Sequence, residues 1–313
     1  MLRERLGEAF GKRLVDVRRL RGGSRKGVYR LTAADGSTAV AYLWSAAENY
    51  WPAADNDGDL ADPFSSTCGL EPFLAAHKRL VSLGVRVPEV YHAHGDLALV
   101  EDVPGDNLET RFARDPRATA STVERLGEFL NAMRACRAPA FGHVGWVDAG
   151  GLSHRATCEA TVLAFALRCL ADAAARDRRV ADAHDPLAGR LHTLAAAVRP
   201  RTEYSVVHGE LGLDHVLVDR HGTPVIIDFE HLLYFDVEWE HVFLRIRLHG
   251  DYERLAADGL DEDRLALYML AQRLSLVAGP LRLLEGDFPD RAFMRGIVEH
   301  NLREALTWVG CPE

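Results

Sequence analysis

The chain has 313 residues, of which 48% are apolar and 27% charged, and its formal net charge is −9. This length and composition are typical of a soluble globular protein with a large core, and the acidic balance argues against a nucleic-acid partner. The longest apolar stretch, residues 265–278, is interrupted by Gln272 and Arg273, so no membrane span is expected.

The cysteines are odd in number and form no CxxC pair, so we expect free thiols in a reducing compartment rather than disulfides or a zinc site. The N-terminal segment is charged and amphipathic, unlike a signal peptide. These features predict a cytoplasmic protein and leave its oligomeric state open. The five cysteines are Cys68, Cys136, Cys158, Cys169 and Cys311.

The first hundred residues predict strands and one helix. Val28–Leu31 and Thr38–Trp44 are short apolar runs on either side of the turn-forming residues 34–36, which is typical of a hairpin. Residues 51–64 are rich in Asp, Pro and Gly and predict a loop. From Leu70 onward, apolar residues recur on one face of a helix that Gly84 ends.

A further strand ends at Leu97–Glu101, and the turn-forming Val103-Pro104-Gly105 marks a lobe boundary. The chain therefore divides into an N-lobe, residues 1–102, and a C-lobe, residues 103–313. The C-lobe is mostly helical and contains one β segment, residues 204–229. The predicted helices lie near 119–136, 155–178, 186–198, 236–249, 262–277 and 290–309.

The β segment 204–229 contains the residues that indicate chemistry. Val216–Val218 and Val225–Ile227 flank the loop 220–223, and a four-residue loop would pair Val218 with Val225 and set His215 opposite Asp228. An imidazole and a carboxylate would then meet at the open end of an apolar hairpin.

Glu210 lies five residues before His215, next to the flexible Gly209. A loop of this length can return its carboxylate to the same place, with Asp214 and Glu230 nearby in sequence. Such a group of ligands indicates a metal site. The alternative is that these are ordinary polar residues at strand ends.

The motif in this segment resembles the catalytic region of the aminoglycoside phosphotransferase family, which has a protein-kinase-like fold. The resemblance rests on His208-Gly209-Glu210, then His215, then Ile227-Asp228-Phe229, at matching spacing. It implies an α+β, bilobal fold with a small β-rich N-lobe and a larger helical C-lobe. It also implies that Glu210 is the catalytic carboxylate and that His215 and Asp228 hold the metal.

The N-terminal part resembles the same family in order along the chain. Residues 21–30 resemble its glycine-rich phosphate loop, Glu71 matches the helix glutamate of its Lys–Glu pair, and residues 99–105 resemble the hinge that holds the base. The resemblance implies nucleotide binding by Gly22, Gly23, Ser24, Arg25, Lys26, Arg30, Glu71, Glu101 and Val103.

Two departures from the family pattern concern the reaction centre. Glu210 stands where the family has Asp, which keeps the charge and basicity on an arm one methylene longer. His215 stands where it has Asn, although a macrolide phosphotransferase branch resembles this chain there. Because imidazole suits softer metals than Mg²⁺, Mn²⁺ is the alternative cofactor, and because that branch often prefers GTP, the donor is ATP or GTP.

A third departure is that the third strand lacks the family's lysine, with Tyr42 or Leu43 in its place. We expect Lys26 to supply this charge from the phosphate loop, helped by Arg25 or Arg30. The alternative is that Arg25 and Lys26 are solvated loop charges.

The predicted activity is transfer of the γ-phosphoryl group of ATP or GTP to a hydroxyl of a small molecule, such as an aminoglycoside, macrolide or peptide antibiotic. Asp236, Glu238 and Glu240 are predicted contacts to a cationic substrate, with solvated or capping carboxylates as the alternative. The other functional class is a nucleotide-binding pseudokinase without transfer activity. A metal hydrolase would leave the N-terminal loop and the hinge unexplained.

Overall fold

The computed structural model describes residues 2–20, 22–52, 58–65 and 67–310. By contacts the chain divides into two compact units, neither of which is one continuous stretch. The first comprises 1–51, 67–132 and 212–231, and the second comprises 52–66, 133–211 and 232–313. The lobe boundary at 102/103 stays a prediction. Every helix in the described part of the chain is too short or too polar to cross a bilayer.

An antiparallel sheet forms the centre of the first unit. Its strands follow the order β1-β2-β3-β5-β4, and alternate residues of β2 are buried, which gives the sheet one core-facing side. The predicted hairpin is confirmed, with Val28 paired to Tyr42. The strands are β1 (Leu14–Arg19), β2 (Gly27–Ala33), β3 (Thr38–Leu43), β4 (Val90–His94) and β5 (Leu97–Val100).

The helix predicted after the acidic loop is confirmed as α2, which buries Phe73, Ala76 and Leu80. The sequence pattern places Val81 on the same face as Leu70, Phe73, Leu74 and Leu80, but Val81 is exposed. Gly84, at φ +73°, lies just beyond its end. The helices that begin in the first unit are α1 (Leu2–Phe10), α2 (Leu70–Ser82), α3 (Leu108–Arg114) and α4 (Ala120–Ala135).

The second hairpin forms, but its predicted register is wrong by one residue. β9 (Val216–Val218) pairs with β10 (Pro224–Ile226) so that Val218 faces Pro224. The amide of Asp219 donates to the carbonyl oxygen of Thr223 at 3.0 Å, which leaves a three-residue loop that ends in Gly222 at φ +75°. Three-residue loops commonly end in a left-handed glycine, and this turn sets the register.

A small sheet and a set of helices form the second unit. The sheet order is β6-β8-β11-β7. Its strands are β6 (Arg137–Ala138), β7 (Gly142–His143), β8 (Tyr204–Val207) and β11 (Leu233–Phe235). Its helices are α5 (Val144–Asp148), α6 (Cys158–Ala174), α7 (Arg178–Asp182), α8 (His184–Ala197), α9 (Val237–Leu248), α10 (Glu262–Glu285) and α11 (Arg291–Thr307).

Helix α10 is the centre of the second unit and packs against α6, α8, α9 and α11. It is longer than the sequence predicts, because it continues through Pro280. Proline removes one helical hydrogen bond, but Val277 and Leu283 on either side are buried, and this packing keeps the helix intact.

Outside these elements, the predicted loop 51–64 forms turns and bends at residues 58–64, whereas 53–57 lie outside the described residues. Arg21 of the glycine-rich loop and Cys311 lie outside them too. The four other cysteines are free thiols.

Candidate active site

The glycine-rich loop turns sharply between β1 and β2. Gly22 and Gly23 have φ angles of +94° and +75°, which residues with side chains rarely adopt. A Cβ on Gly23 would lie 2.5 Å from the carbonyl oxygen of Lys26. The turn therefore requires glycine at this position.

The next two loop residues are fastened to the segment that follows β3. The carbonyl oxygen of Ser24 accepts from the amide of Tyr50 at 2.9 Å, and its Oγ accepts from Nε1 of Trp51 at 2.8 Å. The guanidinium of Arg25 lies 4.3 Å from the Trp51 ring centroid, a cation–π distance. These contacts hold the loop in one conformation within the first unit.

Lys26 turns inward from the loop and is only 7% exposed. Its Nζ lies 2.6 Å from Oδ1 of Asp228 and also donates to Glu230. Burial by itself lowers the pKa of Lys26, but the charges of Asp228 and Glu230 outweigh it, so the pKa lies above its ordinary value. The alternative prediction of a solvated loop charge is therefore wrong for Lys26.

His215 and Asp228 lie side by side at the end of the second hairpin. Nε2 of His215 is 3.7 Å from Oδ2 of Asp228, too far for a hydrogen bond. The shifted register places His215 opposite Ile227, whose amide donates to the carbonyl oxygen of His215 at 3.0 Å. Asp228 then leaves the strand with φ +61°, and this left-handed residue is what turns its carboxylate toward His215.

Phe229 anchors the Ile227-Asp228-Phe229 motif to helix α2. Its ring is buried and stacks on Phe73, with centroids 5.3 Å apart. Glu71, on the first turn of the same helix, is exposed. The structure thus does not bring the predicted pair together, because the carboxylates at the Lys26 ammonium are those of Asp228 and Glu230.

The carboxylate of Glu101 makes local contacts in the predicted hinge. It accepts from the guanidinium of Arg86 at 2.6 Å and from the amide of Glu89 at 3.2 Å. The amide of Glu101 donates to the carbonyl oxygen of Glu89 at 2.8 Å. The Glu101 side chain therefore fixes the hinge backbone.

Arg30 also serves the hinge. Its Nε donates to Oδ1 of Asp102 at 3.1 Å, and the Asp102 carboxylate is buried. Val103, two residues after Glu101, is buried as well. The charge of Arg30 is thus engaged by an acidic partner, and Lys26 is the loop cation that lies at Asp228.

In the second unit, His208-Gly209-Glu210 follows β8. Gly209 has φ +85°, and a Cβ there would lie 3.3 Å from Nε1 of Trp239. Glu210 is exposed, and its amide donates to Nδ1 of His208 at 3.4 Å. The backbone thus presents the Glu210 carboxylate to solvent and places the His208 imidazole in a supporting position.

A buried carboxylate lies beneath this loop. Oε2 of Glu240 accepts from the amides of His208 and Gly209, the second at 3.2 Å. Burial raises the pKa of Glu240 to about 7, although hydrogen bonds from the backbone amides of His208, Gly209 and Leu211 oppose that shift. Glu240 therefore stabilises the backbone that carries Glu210.

The other two carboxylates predicted to contact substrate are buried as well. Asp236 accepts from the guanidinium of Arg264 and from the hydroxyl of Tyr268, both at 2.5 Å. Glu238 accepts two hydrogen bonds from Arg201, at 2.6 and 2.8 Å. The structure corrects the prediction of a substrate contact, because the carboxylates of Asp236, Glu238 and Glu240 are all enclosed within the second unit.

The profile of the phosphotransferase enzyme family (APH) matches residues 16–268. The chain belongs to this family. A search of curated proteins found no match.

Solved structures that are similar to this phosphotransferase share its fold. An apo thermostable mutant of aminoglycoside phosphotransferase APH(4)-Ia is 19% identical, with 96% of this chain and 98% of that chain covered and a TM-score of 0.63. Spectinomycin phosphotransferase APH(9)-Ia, in complex with ADP and spectinomycin, is 13% identical (98% and 97% covered, TM-score 0.66). The choline kinase LicA from Streptococcus pneumoniae is 11% identical (99% and 97%, TM-score 0.63).

These likenesses show the fold. The phosphotransferase has the kinase-like fold of the aminoglycoside phosphotransferases, with a β-rich N-terminal sheet and a mostly helical C-terminal part.

The donor set that the phosphotransferase offers to a metal is small. Among the described residues, no cluster of three or more His, Cys, Asp and Glu side chains is arranged to hold an ion. His215 and Asp228 provide one imidazole and one carboxylate, with a 3.7 Å separation between Nε2 and Oδ2. Two protein donors fit an ion that takes its other ligands from phosphate oxygens and water.

Sequence reasoning named Glu230 as a nearby metal-type ligand and Tyr42 as a replacement for the missing lysine, but it did not predict that both would contact Lys26. The phosphotransferase places the Tyr42 ring centroid 5.1 Å from Nζ of Lys26. Both carboxylates follow β10 within four residues, but because Asp228 is left-handed, strand alternation does not predict that they meet the same partner.

Proposed function

We propose that this phosphotransferase moves the γ-phosphoryl group of ATP or GTP to a hydroxyl group of a small molecule. The observation that carries the proposal is the buried ammonium of Lys26, which reaches Asp228 from the glycine-rich loop at 2.6 Å. Phosphoryl transfer depends on positioning the phosphates and neutralising their charge. A cation, a phosphate loop and a metal-type carboxylate in one place supply these requirements.

The first unit would bind the nucleotide. Backbone amides at Gly22 and Gly23 can approach phosphates without a side chain in the way, and the ammonium of Lys26 adds positive charge. The hinge backbone from Glu101 to Val103 would hold the base. His215 and Asp228 would hold Mg²⁺ or Mn²⁺, which when bound neutralises charge on the phosphates.

Glu210 would orient the acceptor hydroxyl and accept its proton. Its carboxylate is exposed, as a group that meets substrate must be, and its backbone is supported by Glu240 and packed beside Trp239. Glutamate has the basicity of aspartate on a longer arm, so the reaction needs only a small displacement of the loop.

The proposed acceptor is a hydroxylated antibiotic of the aminoglycoside, macrolide or peptide class. Similar structures contain hygromycin B or spectinomycin together with a nucleotide. The net charge of −9 favours cationic or neutral acceptors over anionic ones.

A coupled assay for nucleoside diphosphate release tests the proposal. ATP and GTP would each be supplied with Mg²⁺ or Mn²⁺ against a panel of aminoglycosides, macrolides, nucleosides and peptide antibiotics. Glu210→Gln is expected to lose most of kcat while its nucleotide Kd stays the same. Glu203→Gln, an exposed glutamate shortly before β8, is the matched control and should behave like the wild type.

The same assay separates transfer from binding alone. Nucleotide that raises the Tm of the protein without turnover on any acceptor would favour the pseudokinase. No binding of either nucleotide would contradict both functions.

A further inference from the structure

Lys26 occupies the place that the third strand leaves without a lysine. On β3, the ring centroid of Tyr42 is 5.1 Å from Nζ of Lys26, and both side chains are buried. The Lys26 ammonium therefore lies against β3, although Lys26 belongs to the loop directly before β2. An aromatic ring beneath an ammonium also stabilises it through a cation–π contact.

The two carboxylates at this ammonium differ in their surroundings. The side chain of Glu230 is only 6% exposed, whereas the side chain of Asp228 is 43% exposed. Separating a buried carboxylate from its cationic partner strongly destabilises the folded protein. Glu230 thus keeps Lys26 in place, while Asp228 remains accessible on its exposed side.

The local charge balance gives the two carboxylates separate tasks. One ammonium faces two carboxylates, which leaves net negative charge at Asp228, where solvent and a cation have access. If Asp228 turns to a metal, Lys26 still has the buried partner Glu230. A single acidic partner could not serve both cations.

We infer that Lys26 and Glu230 form a relocated Lys–Glu pair that replaces the third-strand lysine and the helix glutamate, with Glu230 as the positioning residue for the phosphate-binding ammonium. The inference rests on the proposed function, because it assumes that Lys26 meets nucleotide phosphates. It assigns no such part to Glu71, which is exposed on α2.

The test measures the Kd of ADP and of a non-hydrolysable ATP analogue with Mg²⁺ or Mn²⁺, in the absence of acceptor. Lys26→Met and Glu230→Gln are each expected to raise the Kd about tenfold. The double variant should have a nucleotide Kd no higher than that of the single variant with the higher Kd, because both changes break the same pair. A purely structural role of Glu230 would instead give losses that add to those of Lys26→Met.

Two further variants discriminate between the possible partners. Glu71→Gln should change the Kd less than about twofold, like the control Glu124→Gln on the exposed side of α4. Lys26→Met/Tyr42→Lys, which returns a lysine to β3, should recover a large part of the affinity that Lys26→Met loses.

The inference is overturned if Glu230→Gln binds nucleotide like the wild type, or if Glu71→Gln weakens binding as much as Lys26→Met. If Glu230→Gln does not fold, Glu230→Asp keeps the charge on a shorter arm and should give a smaller loss of affinity. Either wild-type affinity in Glu230→Asp, or a loss that adds in full to that of Lys26→Met in the double variant, would overturn the inference. Absence of nucleotide binding by the wild type would instead contradict the proposed function.

Discussion

Glu240 is a fully enclosed carboxylate whose hydrogen-bond donors include the backbone amides of His208 and Gly209. Those amides belong to the residues directly before Glu210, so the position of the proposed catalytic carboxylate depends on this contact. In the described structure Oε1 of Glu240 is buried without a hydrogen-bond partner, which fits a group whose charged form is disfavoured by burial.

Glu240→Gln is expected to remove a pH dependence of stability. The pKa of Glu240 rises from its ordinary 4.5 to about 7 in the folded protein, so between these values the folded chain keeps a proton that the unfolded chain has released. The wild type should therefore lose stability as the pH rises through this window, by about 3 kcal/mol from this group. Urea unfolding from pH 4.5 to 8 measures the free energy of unfolding of the wild type and of Glu240→Gln. The same dependence of that free energy on pH in both proteins would contradict the expectation.

His215→Asn is expected to change the metal preference. An amide oxygen suits Mg²⁺ better than an imidazole does, so the ratio of kcat/KM with Mg²⁺ to that with Mn²⁺ should rise. Titration of each metal in the coupled assay gives this ratio. An unchanged ratio would show that His215 does not contact the ion.

At the scale of elements, residues 58–65 are the clearest case of a segment whose place is set by packing. The ring of Phe64 stacks on Phe165 at 4.3 Å and lies 4.8 Å from Trp239. The carbonyl oxygen of Ala61 accepts from the amide of His154 at 3.0 Å. The segment therefore belongs to the second unit, although the chain before and after it belongs to the first.

Phe64→Ala is expected to lower the free energy of unfolding by about 2 kcal/mol, because the half-buried ring loses its aromatic contacts. Phe293→Ala removes a ring that is 55% exposed and should cost about 0.5 kcal/mol or less. Chemical denaturation of both variants makes the comparison. Equal costs would mean that the segment is not held by Phe64.

At the scale of the whole molecule, the second unit depends on a buried charge network around α10. Arg264 lies on this helix, fully buried, and holds Asp236, while Arg201 holds Glu238. Arg264 also contacts the carbonyl oxygen of Arg199. The network thus connects α10, the start of α9 and the chain before β8.

Arg264→Ala is expected to destabilise the protein by about 3–5 kcal/mol, because the buried Asp236 would lose its directly bonded guanidinium and would keep Arg201 only at 3.7 Å. Arg295→Ala, an exposed arginine on α11, should cost about 0.5 kcal/mol or less. Thermal and urea unfolding of the two variants measure the difference. A small loss for Arg264→Ala would mean that water or a neighbouring side chain replaces the guanidinium.

Local patterns in the sequence determined much of this protein. Short apolar runs on either side of a turn predicted β2 and β3, helical periodicity predicted α2, and the motif residues His208, His215 and Asp228 resembled the family to which the chain belongs. These features depend on residues close together in the chain, whose propensities and spacing act locally. The sequence also predicted that His215 and Asp228 lie side by side, because both residues stand at the end of one short hairpin.

Only the tertiary structure decided what each charged side chain meets. Lys26 and Asp228 are 202 residues apart, and no local pattern shows that one will bury itself against the other. The enclosure of Glu240 likewise depends on packing around α9. A carboxylate looks the same in the sequence whether water or a buried arginine surrounds it, because the cost of burial is set by partners that only folding brings together.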